Sequence, residues 1–308
     1  MGKFIPPRPI YRRERIVVGF LAVASFALLF TYRLLRAKGV IGAGTLPIVL
    51  LMEALVFLLP AAVFCFWRGR GLTKSLRLRP IRAVQLPFLL SAFFALLFGC
   101  LLLSILCRGT GSLGNVATSF ETPAPTGFLP GAARFFVLAL FPALLEEFFF
   151  RGVLTAEYER RGVFRAILLP SLLFALIHFD LRNLPVYLFS GLLFSLVLFA
   201  TDSLIATMLL HALYNTVSLF GQRYLSALYD FTGSVELFLF FLILFFFLAL
   251  LIFCRRAMRL YLIADRAGTP DPRRNIPYAV QFYTTLDGLT DPAYLGCIAL
   301  FVVGVILF

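Results

Sequence analysis

Charge is scarce in this chain. Of its 308 residues 14% are Asp, Glu, Lys or Arg and 61% are hydrophobic, whereas soluble domains carry about 25% charged and about 45–50% apolar residues. This excludes an ordinary soluble domain and points to an integral membrane protein in a lipid bilayer. Acidic residues are the rarer sign, 15 against 28 Lys and Arg, for a net charge of +13. Such an excess in a soluble protein would suggest nucleic acid. Here the basic residues gather in short loops between apolar runs, as the positive-inside rule leads one to expect, so no nucleic-acid partner is expected. The five cysteines (Cys65, Cys100, Cys107, Cys254, Cys297) are odd in number and show no CxxC spacing, which argues against a disulfide framework and a thiolate zinc site. GxGxxG, P-loop and HExxH motifs are absent, as is a buried Ser or Cys with a helically adjacent His, so a water nucleophile is expected rather than a side chain.

What is present is a series of apolar runs of about 20 residues, the length a spanning helix needs. They fall near 16–35, 45–67, 84–107, 132–157, 163–179, 184–200, 203–220 and 235–254, with a shorter ninth near 293–308. The expected fold is all-α, a polytopic membrane bundle of about eight to nine transmembrane helices. Ala22-Val23-Ala24 mimics a signal cleavage site but falls only a few residues into its run, so a retained first span is expected. Five Lys and Arg precede the first span, six lie in Arg68–Arg82, three follow the fourth span (Arg160, Arg161, Arg165) and six lie in Arg255–Arg274. That bias places the N-terminus in the cytoplasm and runs the fourth span from outside to inside. The chain divides into an N-terminal three-span region (1–131), a four-helix core (132–220) and a C-terminal membrane region (221–308). Two polar segments, Arg108–Gly131 outside and a cytoplasmic loop at 265–291, read as surface loops.

Against this apolar background a few polar residues stand out. Glu146 and Glu147 lie side by side in the fourth run, and the only histidines, His178 and His211, lie in the fifth and seventh. A charge at the bilayer centre costs about 2.5–3.5 kcal/mol on insertion scales, so such residues mark a polar site inside the bundle. Three pairs are spaced i, i+4 and so share a helix face: Glu147 with Arg151, Phe174 with His178, and His211 with Asn215. An ion pair between Glu147 and Arg151 would lower the burial cost of both and leave Glu146, about 100° around the helix, to face something else. Pro142, four residues before Glu146, removes a helical hydrogen bond there, and a local kink is expected. Glu53 in the second span is a further intramembrane carboxylate, for which Arg33 or Arg134 is the expected partner.

A carboxylate and an imidazole on neighbouring helices can hold and deprotonate a water, while a second imidazole and an amide can donate to a developing oxyanion. These are the parts needed to add water to an amide or ester carbonyl. Glu146-Glu147-Phe-Phe-Phe-Arg151, Phe174-Ala-Leu-Ile-His178 and His211-Ala-Leu-Tyr-Asn215 resemble the ordered EExxxR, FxxxH and HxxxN motifs of the CAAX protease and bacteriocin-processing family, which includes the Rce-type prenyl-protein endoproteases. The resemblance implies a glutamate-dependent intramembrane peptidase of about eight helices, with its catalytic core at 132–220 and a cavity open to the cytosol. It also implies Glu146 as the water-activating carboxylate with His178 as partner, His211 and Asn215 as oxyanion donors, and Glu147, Arg151 and Phe174 in support. The substrate would be a membrane-associated protein or peptide, with a prenylated CaaX tail as the eukaryotic precedent. The expected location is a prokaryotic cell membrane, with the endoplasmic reticulum membrane as the alternative. No cofactor is expected, although Glu146, His178 and His211 are also a possible zinc ligand set. A non-catalytic scaffold or immunity-type protein of the same fold is the competing function, and a transporter ranks below it because no internal two-fold repeat is visible.

Overall fold

Backbone that crosses lipid must satisfy its own N–H and C=O groups, and apolar runs therefore become helices. The computed structural model describes residues 10–41, 45–68, 76–108, 128–266 and 276–308. Most of the expected loop at Arg108–Gly131 falls outside the described residues, as do Lys3, Arg8 and part of the second polar segment. Among the described residues there is no strand.

In chain order, α1 is Ile10–Ala37. Helix α2 runs through Leu46–Glu53, a wide-turned stretch Ala54–Leu58, and Leu59–Arg68. A short 3-10 turn, Ala83–Gln85, leads into α3, Leu86–Arg108. Helix α4 is assembled from Phe128–Arg134, the wide-turned Phe135–Leu140, Phe141–Glu147, the wide-turned Phe148–Leu154 and Thr155–Tyr158. Then come α5 (Val163–Leu176), α6 (Leu184–Thr201), α7 (Leu204–Phe220), α8 (Gln222–Thr232), α9 (Val235–Arg266), α10 (Tyr278–Leu289) and α11 (Pro292–Leu307). Five of these helices are long and apolar enough to cross a membrane, and up to seven if the bent pairs α7 with α8 and α10 with α11 each count as one span. Helix α5, at 14 residues, is among the shorter apolar helices. Helix α4 is set apart by its charges, which belong to the site.

Two helices depart from the expected pattern. Helix α8 was not anticipated, because its polar face interrupts the hydrophobic signal. Tyr278–Leu289 is helical within the stretch read as a loop, since it docks through polar rather than apolar contacts. Gln281 Oε1 accepts from the Phe164 backbone N–H at 3.1 Å, capping the start of α5, and Thr284 donates to the Arg161 carbonyl at 3.2 Å. Gly162, at φ 138°, makes the turn between α4 and α5, and a Cβ there would press on the Gln281 side chain at 3.0 Å.

A charged belt joins connections far apart in sequence on one face of the bundle. Arg77 binds Glu159 at 2.6 Å and Asp202 at 2.8 Å, Arg79 pairs with the same Asp202, and Arg161 reaches Asp287 at 3.3 Å. Gln85 donates to the Thr201 carbonyl at 2.8 Å. The links after the second, fourth and sixth spans and before the last helix therefore share a face, which is the alternation the basic loops implied. Helix α9 leaves Phe240 and Phe247 exposed, as an outer membrane helix does.

Candidate active site

Helix α4 carries the carboxylates in the middle of the bundle. Its two wide-turned stretches lie on either side of Phe141–Glu147. Pro142 stands second in that central stretch, where the first wide-turned segment ends. The missing proline N–H coincides with this change of hydrogen-bond pattern, and the chain remains helical through it. The second wide turn gives the chain an extra residue per turn and so re-aims the side chains beyond Glu147.

Glu147 and Arg151 are fully buried and pair at 2.9 Å. Arg151 also donates to the Gly191 carbonyl at 2.9 Å, and its guanidinium lies over the rings of Phe174 (4.5 Å) and Phe194 (5.2 Å). The oxygen that accepts from Arg151 also lies 3.0 Å from His211 Nδ1. A carboxylate paired with arginine can only accept, so His211 carries its proton on Nδ1 and turns Nε2 toward the site. Phe194 stacks on this imidazole at 4.7 Å and Phe174 meets it edge-on at 5.9 Å.

His178 lies just past the end of α5, half-buried. Its Nδ1 is 2.7 Å from the Phe174 carbonyl, which likewise fixes the proton on Nδ1 and leaves Nε2 free. Tyr187 stacks on the ring at 3.8 Å. The Phe174 ring touches both histidines, with His178 at 5.1 Å, and so acts as the spacer between them. Asn215 donates to the Ala139 carbonyl in the first wide-turned stretch at 3.4 Å.

Glu146 differs from its neighbour. It is 8% exposed, and although both glutamates keep an Oε2 with no hydrogen-bond partner among the described residues, only Glu147 has its Oε1 engaged. Neither expected cation reaches Glu53: Arg33 lies over the Phe179 ring at 5.4 Å, and Glu53 Oε2 also lacks a partner. Glu53 lies instead on α2 within electrostatic range of Glu146. Among the described residues no three His, Cys, Asp or Glu side chains come together in a metal-binding arrangement.

Residues 128–217 match the family described as type II CAAX prenyl endopeptidase Rce1-like. This stretch is an Rce1-like domain. It begins with α4 and contains all three motifs, whereas α1 to α3 and α9 to α11 lie outside it. No curated protein and no solved structure matches the chain. The Rce1-like stretch therefore carries a protease-family fold within a larger integral membrane protein.

Glu147, Arg151, Phe174, His178 and His211 meet within this domain, whereas no hydrogen bond or ion pair joins Glu146 or Asn215 to either histidine among the described residues, and α6 contributes residues that the sequence reading passed over. Tyr187, Gly191 and Phe194 are spaced i, i+4, i+7, which marks one face of a helix. This signal is legible, but it is diluted where so many residues are aromatic. A Cβ on Gly191 would approach the Ser171 backbone to 3.0 Å, so α5 and α6 pack closely only because this residue is glycine. Gly191→Val is expected to lower stability by about 1–3 kcal/mol through overpacking and to displace the carbonyl that holds Arg151. Thermal unfolding of the solubilised protein, with Gly296→Val as the control at a helical position where an added Cβ makes only ordinary contact, at 3.6 Å, checks this.

Proposed function

We propose that the protein is an intramembrane endopeptidase that hydrolyses a peptide bond in a membrane-associated protein, with water as nucleophile. One observation carries this reading. Of the two adjacent buried carboxylates, each keeps an unpartnered Oε2, but Glu147 is engaged through Oε1 by Arg151 and His211, while no hydrogen bond or ion pair reaches Glu146 among the described residues. A structural carboxylate would be paired, whereas one kept unpaired in a membrane marks function. In the proposed step the Glu146 carboxylate takes a proton from water that is also held by His178 Nε2, and the hydroxyl adds to the carbonyl carbon. Asn215 donates to the oxyanion, and His211, entering the step protonated on both nitrogens, donates through Nε2 while its Nδ1–H stays on Glu147; it keeps both protons throughout, so the only proton moved is the one that Glu146 takes from water. Collapse breaks the C–N bond and returns the proton from Glu146 to the leaving nitrogen.

The substrate class we infer is a lipid-anchored or membrane-inserted peptide, of which a prenylated CaaX-like tail is one case. The test uses purified protein in lipid and a panel of quenched peptides bearing a prenyl group, an acyl group or a hydrophobic helix. Cleavage of at least one supports the reading, and binding without cleavage across the panel would favour the scaffold alternative. Asn215→Ala is expected to lower kcat about 10²- to 10³-fold, the usual effect of losing one oxyanion donor. A strong chelator is expected to have no comparable effect. Zinc present in stoichiometric amount, whose removal stops turnover and whose return restores it, would replace the protein-only mechanism.

We also propose that the charged belt faces the cytoplasm, on the basic bias of those loops. Helix α5 rises about 1.5 Å per residue from the belt, so His178 would then be among the site residues farthest from the cytoplasm. That conflicts with the cytosolic cavity implied by the family resemblance. A reporter fused within Arg68–Arg82 should report the cytoplasm and one within Gln222–Thr232 the opposite side. Reversed readings would put the belt outside and His178 toward the cytosol.

A further inference from the structure

Glu53 lies outside the Rce1-like stretch and outside its three motifs, yet the packing of α2 brings it to the catalytic carboxylate. Its wide-turned segment begins directly after Glu53. From that segment Phe57 packs on Phe149 and Phe150 at 5.9 and 5.8 Å, the residues that follow the paired glutamates. Two helices thus meet at their wide turns, and this contact fixes α2 against α4. Glu53 and Glu146 each retain a buried carboxyl oxygen with no hydrogen-bond partner among the described residues, and each lies in the other's field. The other charged groups acting on Glu146 are Glu147 and Arg151, and those two already pair with each other. On α1, Arg33 is turned to Phe179. Among the described residues no further cation beyond Arg151, which Glu147 already pairs, offsets a second negative charge at this point.

Resting on the hydrolytic reading above, we propose that Glu53 is a positioning residue that shares one proton with Glu146, so that the active form of the pair is singly charged. Two carboxyl groups in a dry site do not ionise together readily, and one holds the proton for both. In the resting pair Glu53 carries the proton, which leaves Glu146 as the one charged carboxylate. When water attacks, its O–H bond breaks and the proton passes to Glu146, so the pair holds two protons while the C–O bond forms and the carbonyl electrons move onto oxygen. As the oxyanion collapses and the C–N bond breaks, the pair gives one proton to the leaving nitrogen and returns to a single proton. Glu53 thereby leaves Glu146 ready to accept a proton, and the pair's charge never exceeds one.

Infrared titration of isotope-labelled glutamate carboxyls in the purified full-length protein, together with the pH profile of kcat, tests this. Wild type should show two coupled protonation steps from the pair, and Glu53→Gln and Glu146→Gln one step each. Glu53→Gln should lower kcat about 10²-fold, the scale of a lost proton-transfer partner, with KM little changed and the alkaline limb of the profile gone. Glu53→Asp should recover part of the rate and both steps. A Glu146 titration that is the same with and without Glu53, or a Glu53→Gln profile of unchanged shape, would overturn the proposal. If Glu53→Gln does not fold, a Glu53 titration in Glu146→Gln that is the same as in wild type would do the same. The infrared measurement needs no substrate, so absence of turnover in wild type would count against the hydrolytic reading while leaving the shared proton separately testable.

Discussion

Glu146→Gln should reduce peptide hydrolysis by at least about 10²- to 10⁴-fold, the range expected for loss of a general base, while the protein still inserts and purifies as a monodisperse species. The amide has nearly the shape of the carboxylate but cannot take a proton from water at neutral pH. Stability should hold because no ion pair is lost. Glu146 makes none among the described residues, and its unpartnered oxygen already bears the cost of burial. Removing a charge that sits beside Glu147 relieves like-charge repulsion, so thermal unfolding should occur at the same temperature as wild type or higher. Turnover of a quenched membrane peptide, measured beside the unfolding curve, checks both parts. Most of the activity surviving in a well-folded Glu146→Gln protein would remove this residue from the mechanism.

Glu147 should respond differently, and the contrast between adjacent residues is what makes the pair of variants informative. Glu147→Gln or Arg151→Ala is expected to cost about 3–5 kcal/mol of stability, because each leaves a fully buried charge without its partner. The loss should appear as a lower unfolding temperature and lower yield. Activity should fall too, since Glu147 also holds His211 by its Nδ1 proton at 3.0 Å, and an imidazole without that partner can turn or change tautomer. The double variant Glu147→Gln with Arg151→Met should recover much of the stability, because no isolated charge remains, and little of the activity. A Glu147→Gln protein as stable as wild type but inactive would mean that the carboxylate works on the substrate directly rather than through His211.

The parts of the site that were legible in the sequence are those that one helix can specify. Spacing of i, i+4 put Glu147 beside Arg151 and His178 beside Phe174, because a helix brings such residues to one face whatever surrounds it. The apolar runs located the spanning helices to within a few residues for the same reason, since lipid leaves the backbone little alternative to a helix. The stretch at 278–289 was harder to read: its contacts are polar and are made to the turn between α4 and α5, so its own hydrophobic pattern is weak. Glu53 was visible as an anomaly, but its expected arginine partners were chosen by charge, and proximity to Glu146 depends on how α2 packs.

The sequence alone determined that this is an all-helical membrane protein with carboxylates, imidazoles and an amide on the fourth, fifth and seventh apolar runs. Hydrophobicity and helical periodicity are local properties, and neither needs a partner to be read. Tertiary structure decided which of the adjacent glutamates is engaged. His211 reaches Glu147 across 64 residues of chain, and α6 supplies the Gly191 carbonyl and the Phe194 ring that hold Arg151. The same packing turned both histidines to present Nε2 and brought Glu53 to Glu146. Those outcomes depend on the relative rotation and depth of packed helices, and the extra residue in each wide turn of α2 and α4 resets that rotation without leaving a mark in the hydrophobic pattern.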